Sequence, residues 1–532
     1  MTTPGARSVA DTTASGAPVA TPPLDAAPLD AAPLDAAPLD AAPSGPAPGE
    51  LRSRTVNSVF WVAADKWVNR LASLVVFAVI GRLLDPSDIG VAALAATFVA
   101  LFQVFAEQGF SDALVQRKDL DREHPESAFW VSLGSSVLLA GVLVALAGPI
   151  AAALGAPELA PVLQVLCVTL PLAALSLTPA ALLQRDFGFK RLTQRRVVSN
   201  LLGGVVGVVV AVLGGGVWAI VAQSITSAAV GVVVLWAVLP WRPRLRFSRR
   251  ALRDLRGVGL SVIGIQLFAF VNAQADKFVI GAFISPSALG YYYVGTRIIS
   301  ILSDVQTAVI QSVSLTALSK VQDDLPRFRR AFLSLTGASA AIGVFTYATF
   351  AALAPVVVPM VFGPQWATSV LIAQVLCVMG ALNSVLVFDR TALIAVGRSR
   401  LALVITAVQC VVGVLAVLVA VPFGIVAVAV AVTARQYVVW PLRLRALRTA
   451  MGLSVPGYLR QWAAPAAGGL AVFAVVAGGL ALLPPVEGLW AELGVVAGGG
   501  LLALAVYAGV GLLLFRGTLR DLRSVVRRRK AA

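Results

Sequence analysis

Long apolar runs separated by short polar loops constrain the fold of this 532-residue chain. Seven of the loops are rich in Lys and Arg, and the loops that alternate with them contain neither residue. The basic loops lie at 116–124, 184–196, 242–256, 320–330, 398–400, 443–460 and 516–530, and the others at 85–88, 155–160, 214–216, 285–288, 363–366, 422–424 and 484–488. Because cytoplasmic loops of multi-pass membrane proteins are enriched in Lys and Arg, the alternation predicts about 14 spans with both termini in the cytoplasm.

Each apolar run is about 20 residues long, which is enough to cross the hydrocarbon layer as a helix. Lipid offers no hydrogen-bond partner to an open backbone, and the runs are too long for barrel strands, so we expect an all-α polytopic membrane protein. The predicted spans lie near 58–84, 88–110, 127–150, 158–183, 197–213, 217–239, 258–283, 287–312, 331–360, 367–392, 401–421, 424–441, 464–483 and 489–515.

The composition supports a membrane protein and argues against other classes. The chain is 58% hydrophobic and 13% charged, and its net charge of +16 is concentrated in short loops beside the spans. Such loops attract anionic lipid headgroups, and none is long enough for a nucleic-acid-reading domain. Cys167, Cys377 and Cys410 lie in apolar runs, so we expect small core residues and no metal site. His124, in a basic loop, is expected to be solvated.

Motifs typical of enzymes and nucleotide-binding domains do not occur in the sequence. We therefore expect no catalytic residues and no cofactor. Residues 1–52 contain four PLDAA repeats and are expected to form a disordered cytoplasmic tail. The remaining predicted regions are an N-lobe of six spans at 53–241, a basic linker at 242–257 with a short surface helix, a C-lobe of six spans at 258–442, spans 13 and 14 at 463–516, and a basic tail at 517–532.

An internal repeat relates the two predicted lobes. The segment GRLLDPSDIG at 81–90 recurs as GAFISPSALG at 281–290, and QVLCV at 164–168 recurs at 374–378. Phe129 likewise aligns with Phe332, and Gly204 with Gly413. Because six spans are an even number, both copies enter the membrane in the same direction, which predicts a pseudo-two-fold axis along the membrane normal. We expect two six-helix lobes around a central cavity, plus two C-terminal helices.

Charged side chains inside spans cost roughly 2.5–3.5 kcal/mol each at mid-bilayer, so they mark function or buried pairs. They are concentrated in spans 1, 2, 7 and 8, the first two spans of each repeat: Asp65, Lys66, Arg70 and Arg82, then Glu107, then Asp276 and Lys277, then Arg297 and Asp304. Gln103, Gln266 and Gln274 lie in the same spans. This distribution predicts a polar cavity between the lobes, and its cationic side chains suit an anionic substrate.

Structural explanations of these charges remain open alternatives. Asp65 and Lys66 lie within two turns of the predicted cytoplasmic end of span 1, so Lys66 could extend its ammonium group towards the headgroups instead of lining a cavity. Asp276 with Lys277, or Arg297 with Asp304, could instead form buried pairs that set the packing of helices. Asp65, Glu107, Asp276 and Asp304 are therefore candidates for either ion coupling or structure.

Three segments resemble one family of transporters. They are GRLLDPSDIG at 81–90, QGFSDALVQR at 108–117, and the stretch from DKFVIG at 276–281 through LGY at 289–291 to Arg297. The chain resembles the polysaccharide-transporter (Wzx-type) flippases of the multidrug/oligosaccharidyl-lipid/polysaccharide exporter superfamily over residues 55–515. The resemblance implies two lobes around a V-shaped cavity and export of oligosaccharide units linked to polyprenyl diphosphate.

The resemblance also implies roles for particular residues and partners. Arg82, Asp276 and Arg297 match by motif position, whereas Arg70, Lys66 and Lys277 are candidates by depth and charge. The cations would bind the diphosphate or acidic sugars. Expected partners are the lipid-linked oligosaccharide and membrane lipids of the cytoplasmic membrane, with a polysaccharide polymerase and glycosyltransferases as further candidates, and no nucleic acid.

Three other functions compete with this interpretation. A cation-coupled multidrug exporter of the same superfamily would use a membrane carboxylate, and the excess of cationic side chains argues against organic-cation substrates. A peptidoglycan-precursor flippase would share the fourteen spans. A membrane glycan polymerase or ligase would need a large external loop, which the sequence does not contain.

Overall fold

The computed structural model describes residues 72–107, 110–117, 121–186, 188–318, 324–484 and 488–514. Within these ranges the chain forms helices and no β-strand. The PLDAA repeats, the span-1 residues Asp65, Lys66 and Arg70, and the basic C-terminal tail lie outside the described residues.

Seventeen helices and two short 3-10 turns make up the described fold. The helices are α1 Ala72–Leu83, α2 Pro86–Glu107, α3 Phe110–Gln116, α4 Glu123–Ala153, α5 Leu159–Leu166, α6 Thr169–Arg185, α7 Phe189–Val212, α8 Trp218–Val238, α9 Arg249–Phe283, α10 Pro286–Leu318, α11 Leu325–Phe362, α12 Ala367–Leu386, α13 Asp389–Ala395, α14 Ser399–Ala420, α15 Ile425–Met451, α16 Val455–Leu482 and α17 Leu489–Leu514. The 3-10 turns are Pro364–Trp366 and Val421–Phe423.

Eleven membrane-crossing segments, each long and apolar enough, occur among the described residues. The helices α9 and α10, of 35 and 33 residues, are also long enough to span, and the described part of α1 is a shorter apolar helix. The chain is therefore an all-helical, multi-pass membrane protein. The count of about 14 spans stays a prediction because the first part of span 1 is not described.

The loops without Lys and Arg coincide with breaks between helices. Five of them contain a glycine with positive φ: Gly155, Gly214, Gly363, Gly424 and Gly488, with φ between 60° and 104°. Glycine lacks a Cβ atom and adopts this region without strain, so it ends one helix and allows the chain to turn back. We call the end of the bundle that holds these loops the non-basic end, and the opposite end the basic end.

The basic segments are more helical than hydropathy predicts. The helix α9 begins at Arg249 and continues to Phe283, so much of the predicted linker 242–257 belongs to span 7 and is not a separate surface helix. The basic run at 443–448 lies within α15, and α16 begins at Val455, where the Ser454 side chain accepts a hydrogen bond from the Gly457 N–H. Arg and Lys favour helices, so a helix can continue beyond its apolar part.

Two predicted spans are broken. Span 4 divides into α5 and α6, and span 10 divides into α12 and α13. In span 4 the break precedes Pro171, whose ring nitrogen cannot donate to the carbonyl of Cys167. The Leu170 N–H bonds to that carbonyl at 3.0 Å in place of a regular helical bond.

The single histidine is buried, so the expectation that it is solvated was wrong. His124 is 3% exposed at the start of α4, where its Nδ1 atom accepts a hydrogen bond of 3.2 Å from the Asp121 N–H. A polar loop sequence indicates proximity to water, but the first turn of a packed helix can still face the interior. All three cysteines are buried and free, as expected of small core residues.

The lobes meet through the segments that the repeat relates. A Cβ atom on Gly90 would lie 1.7 Å from the backbone oxygen of Pro286, and one on Gly290 would lie 1.9 Å from that of Pro86. The helices α2 and α10 therefore approach as closely as glycine allows. The contact is reciprocal, as a parallel repeat with an axis between these two helices requires. The aligned residues Phe129 and Phe332 are also both buried, at 2% and 0% exposure.

Candidate functional site

Lys277 occupies the half of α9 towards the non-basic end, one turn after Gln274. Its ammonium group donates a hydrogen bond of 2.9 Å to the Gln274 side-chain oxygen and lies 5.8 Å from the centre of the Tyr293 ring. An ammonium group over an aromatic face is stabilised by the ring quadrupole. These contacts hold the cation with neutral partners, so its charge is not cancelled by them.

Arg297 connects α10 with α1. Its guanidinium donates a hydrogen bond of 3.3 Å to the Ser73 hydroxyl and lies 5.8 Å from the centre of the Phe77 ring. The Lys277 charge is attracted by Asp276 and, more weakly, repelled by Arg297, so the two cations lie within reach of each other's charge. Two cations on adjacent helices, each hydrogen-bonded to a neutral acceptor, are suited to bind an anionic group such as a phosphate. We call them the cationic pair.

Asp276 accepts its hydrogen bonds from groups other than the charged side chains of the cationic pair. One carboxylate oxygen accepts a hydrogen bond of 2.5 Å from the hydroxyl of the fully buried Tyr292, and the other accepts one of 2.9 Å from the Lys277 N–H. The carboxylate thus ties α9 to α10 and fixes the backbone beside Lys277. These contacts favour the structural alternative for Asp276 over a role in ion coupling.

Arg82 lies at the end of α1, among contacts that join the lobes at the non-basic end. Its guanidinium donates to the Met360 carbonyl at 2.9 Å, and its own carbonyl accepts a hydrogen bond of 3.3 Å from Gln365. The indole of buried Trp366 donates to the Gly81 carbonyl at 2.7 Å. The structure therefore places Arg82 in a contact between the end of α1 and the turn between α11 and α12.

Glu107 lines a pocket between α2, α3 and α9. It accepts a hydrogen bond of 2.8 Å from Gln103, which lies one turn earlier on α2. The pocket has a volume of about 460 Å³. Its polar and aromatic lining residues are Gln103, Glu107, Ser111, Gln266, Gln274 and Phe270, and its other walls are Ala and Val. Asp304, on α10, is exposed and does not line this pocket.

The sequence identified the charged members of this region and missed most of their partners. Tyr292 and Tyr293 are followed by Val294 in an ordinary apolar stretch, and nothing local indicates which tyrosine binds a carboxylate. The glutamines were visible as polar residues in spans, but their convergence on one pocket depends on how α2 and α9 pack. Lys66, Arg70 and Asp65 lie outside the described residues, so their place relative to the cationic pair stays a prediction.

A second buried polar cluster lies at the basic end of the C-lobe. Asp389, 1% exposed at the start of α13, accepts a hydrogen bond of 2.9 Å from the hydroxyl of buried Tyr458 on α16. Arg443 on α15 donates to Gln409 on α14, and Gln409 donates to Gln436 at 3.0 Å. The cluster links four helices and lies apart from the cationic pair in sequence and in contacts, so we interpret it as structural.

Solved structures share this fold. The fold matches the lipid II flippase MurJ in an inward closed conformation with a TM-score of 0.69 and 12% identity, over 86% of this chain and 100% of that one. It also matches an inward-facing multidrug resistance transporter of the MATE family and MOP superfamily, with a TM-score of 0.56 and 16% identity, over 71% of this chain and 94% of that one. At these identities the similarity establishes the fold alone.

Curated relatives carry names from polysaccharide pathways. The chain is 28% identical to the succinoglycan biosynthesis transport protein ExoT of Rhizobium meliloti over 60% of this chain and 64% of the relative, just under two thirds of its length. It is 23% identical to the teichuronic acid biosynthesis protein TuaB of Bacillus subtilis over 64% of this chain and 71% of the relative. It is 22% identical to the lipopolysaccharide biosynthesis protein WzxC of Escherichia coli over 63% of this chain and 68% of the relative.

The family described as polysaccharide biosynthesis protein matches residues 79–371, more than half of the chain. The match runs from α1 to the start of α12, so it includes the cationic pair, the pocket beside Glu107 and the reciprocal glycine contact. With this match, the chain belongs to the polysaccharide biosynthesis protein family.

Proposed function

We propose that this protein is a transporter, not an enzyme, that moves polyprenyl-diphosphate-linked oligosaccharide across the cytoplasmic membrane. The observation that carries the proposal is the cationic pair: Lys277 and Arg297 lie together at the junction of the lobes, with neutral hydrogen-bond partners. An anionic diphosphate would satisfy both charges, and Arg can bind phosphate with two parallel hydrogen bonds. The names of the relatives ExoT and WzxC support a polysaccharide substrate.

The contacts between lobes support a mechanism of alternating access. At the non-basic end, Trp366 bonds to Gly81, Gln365 bonds to Arg82, and Gly90 packs against Pro286. Together these contacts hold the two lobes against each other at that end. In the proposed cycle the head group enters from the basic end, and the lobes then rock to open the non-basic end. The direction of transport would come from different affinities for the substrate in the two orientations of the lobes, or from the membrane potential acting on charges in the cavity.

The orientation follows from the charge of the loops. We propose that the basic end and both termini lie in the cytoplasm, because short cytoplasmic loops are the ones enriched in Lys and Arg. The polyprenyl tail would stay in lipid while the head group crosses. On sequence grounds we propose Lys66 and Arg70 as further cationic lining. The polymerase and glycosyltransferases of the same pathway are the further partners we propose.

The direct test is transport of a lipid-linked glycan in proteoliposomes. The probe is polyprenyl diphosphate linked to a fluorescent N-acetylglucosamine, and transport is scored by exposure of the label to a membrane-impermeant quencher. We expect Arg297→Ala to lower the initial rate at least about tenfold, because a charge-assisted hydrogen bond to phosphate is worth about 1.5–3 kcal/mol.

The matched control is Arg327→Ala, which removes an exposed arginine that pairs with Asp324 three residues away. It should transport at the wild-type rate. Equal transport by Arg297→Ala and wild type would overturn the assignment of the site. No transport by wild type, together with ion-driven efflux of an organic cation, would move the protein to the multidrug exporters.

A further inference from the structure

The pocket beside Glu107 differs in chemistry from the cationic pair. Its polar lining consists of three primary amides, one carboxylate and one hydroxyl: Gln103, Gln266, Gln274, Glu107 and Ser111. No Lys or Arg is among the described residues that line it. A diphosphate would gain little here and would be repelled by Glu107. The lining therefore indicates a ligand, or part of one, that is uncharged and rich in hydroxyl groups.

Amide side chains suit sugar hydroxyls in particular. Each glutamine offers two N–H donors and a carbonyl acceptor, and a sugar hydroxyl both donates and accepts. Phe270 adds an aromatic side chain, and alanines at the neighbouring positions leave the space open. The volume of about 460 Å³ falls within the range of roughly 300–1,000 Å³ that is usual for small-molecule sites. Gln103 and Gln274 each make one hydrogen bond within the protein, to Glu107 and Lys277, and each amide has further donors or acceptors for a polar ligand.

The pocket adjoins the cationic pair. Gln274 lines the pocket, and its side-chain oxygen accepts the hydrogen bond from the Lys277 ammonium group. An anionic group held by Lys277 and Arg297 would thus lie one side chain away from the pocket. A sugar attached directly to that anionic group could reach Gln274 first and then Gln103 and Gln266.

We infer that the pocket lined by Gln103, Glu107, Gln266 and Gln274 is a separate glycan subsite, which takes uncharged sugar residues while the cationic pair holds the anionic group of the same substrate. The inference rests on the proposed function and divides its substrate between two sites. Glu107 gives the subsite a selectivity: a uronic acid at this position would place two carboxylates together, whereas a neutral sugar would gain a charge-assisted acceptor.

The test measures how much the sugar contributes to binding. The full-length protein in detergent is titrated with geranylgeranyl diphosphate, and with the same lipid diphosphate carrying a glucose–N-acetylglucosamine disaccharide. For wild type we expect the disaccharide to tighten binding about tenfold, the effect of one or two net hydrogen bonds. In Gln103→Ala/Gln266→Ala this ratio should fall towards one, while the Kd for the sugar-free lipid stays within about twofold.

A matched control and an independent variant guard against misfolding. Gln223→Ala on α8 makes the same substitution outside the pocket and should keep the wild-type ratio. If the double variant fails to fold, Gln266→Ala alone replaces it in the test, because Gln266 is exposed and its loss should not disturb folding. The subsite would be overturned if wild type bound the two lipids with equal Kd. It would also be overturned if the double variant kept the wild-type preference for the disaccharide lipid. Failure of wild type to bind either lipid would instead overturn the proposed function.

Glu107 provides a second readout of the same subsite. A disaccharide in which glucuronic acid replaces glucose should bind wild type several-fold more weakly than the neutral probe. Glu107→Gln keeps the shape and the hydrogen bond to Gln103 but removes the charge, so it should narrow this difference. Equal affinity of wild type for the two disaccharides would contradict the assigned selectivity.

Discussion

Neighbouring charged residues of α9 and α10 have different partners and therefore different roles. Asp276 accepts hydrogen bonds from Tyr292 and from the backbone, whereas Lys277 and Arg297 donate to an amide and a hydroxyl. The carboxylate is thus hydrogen-bonded within the protein while it also attracts the Lys277 charge, and both cations keep further N–H donors for a ligand. A charged side chain inside a span is stronger evidence for a binding site when its hydrogen-bond partners are neutral.

A buried carboxylate elsewhere makes a prediction about stability. Tyr458→Phe removes the donor that reaches the Asp389 carboxylate at 2.9 Å. Leaving a buried acceptor unsatisfied costs about 1–3 kcal/mol, so we expect a lower melting temperature in detergent. The Kd for geranylgeranyl diphosphate should not change. The control is Tyr437→Phe, which removes a hydroxyl that bonds to the Val378 carbonyl at the exposed surface. Equal melting temperatures for the two variants would show that the Asp389 contact adds no stability.

At the scale of elements, the contact between α2 and α10 is set by two glycines. Gly90 and Gly290 each face the backbone oxygen of a proline in the other repeat, Pro286 and Pro86. No side chain fits between these backbones, so the contact can form only with glycine at both positions. The contact also lies at the end of the bundle that must open in the proposed cycle.

Gly90→Ala should therefore weaken closure of the non-basic end. Its Cβ atom would lie 1.7 Å from the Pro286 oxygen, so one helix must move away. We expect the thiol of Gln365→Cys to react several-fold faster with a membrane-impermeant maleimide when Gly90→Ala is also present than when it is absent. Gly134→Ala, at a glycine on α4 with open space around it, should leave the rate unchanged. Unchanged labelling in Gly90→Ala would mean that the helices absorb the methyl group without opening.

At the scale of the whole molecule, hydrogen bonds between distant parts of the chain join the lobes at the non-basic end. The turn between α11 and α12 bonds to the end of α1 through Gln365 and Trp366, and Arg82 returns a bond to Met360. These contacts join the first span of one lobe to spans of the other. A transporter that works by alternating access must break them once in each cycle.

Covalent closure of this end should stop transport. We expect Arg82→Cys/Gln365→Cys, joined by a short bis-maleimide, to lose flipping of the fluorescent lipid-linked sugar in proteoliposomes. Each single variant treated with the same reagent should keep its activity. The native Cys167, Cys377 and Cys410 are buried, which limits background reaction. Normal flipping by the cross-linked protein would exclude opening between these residues as a step of transport.

Much of the fold was predictable because its determinants are local. Apolar runs, glycine turns and alternating basic loops identified the all-helical membrane class and the positions of the turns. The repeat of GRLLDPSDIG and GAFISPSALG indicated which segments of the lobes correspond, and Gly90 and Gly290 of these segments pack reciprocally. Helix ends were predicted less well: α9 and α15 extend through basic segments, because hydropathy measures burial in lipid and not helix formation.

By itself the sequence determined which segments enter the membrane and which charges enter with them, since the transfer free energy of a segment depends on its own side chains. Only the tertiary structure decided which charge meets which partner. Arg297 bonds to Ser73, Trp366 to Gly81 and Tyr458 to Asp389, across separations of 224, 285 and 69 residues. The pocket of Gln103 and Gln266 likewise exists only where α2 packs beside α9. Such contacts depend on the packing of whole helices, which no local pattern of residues encodes.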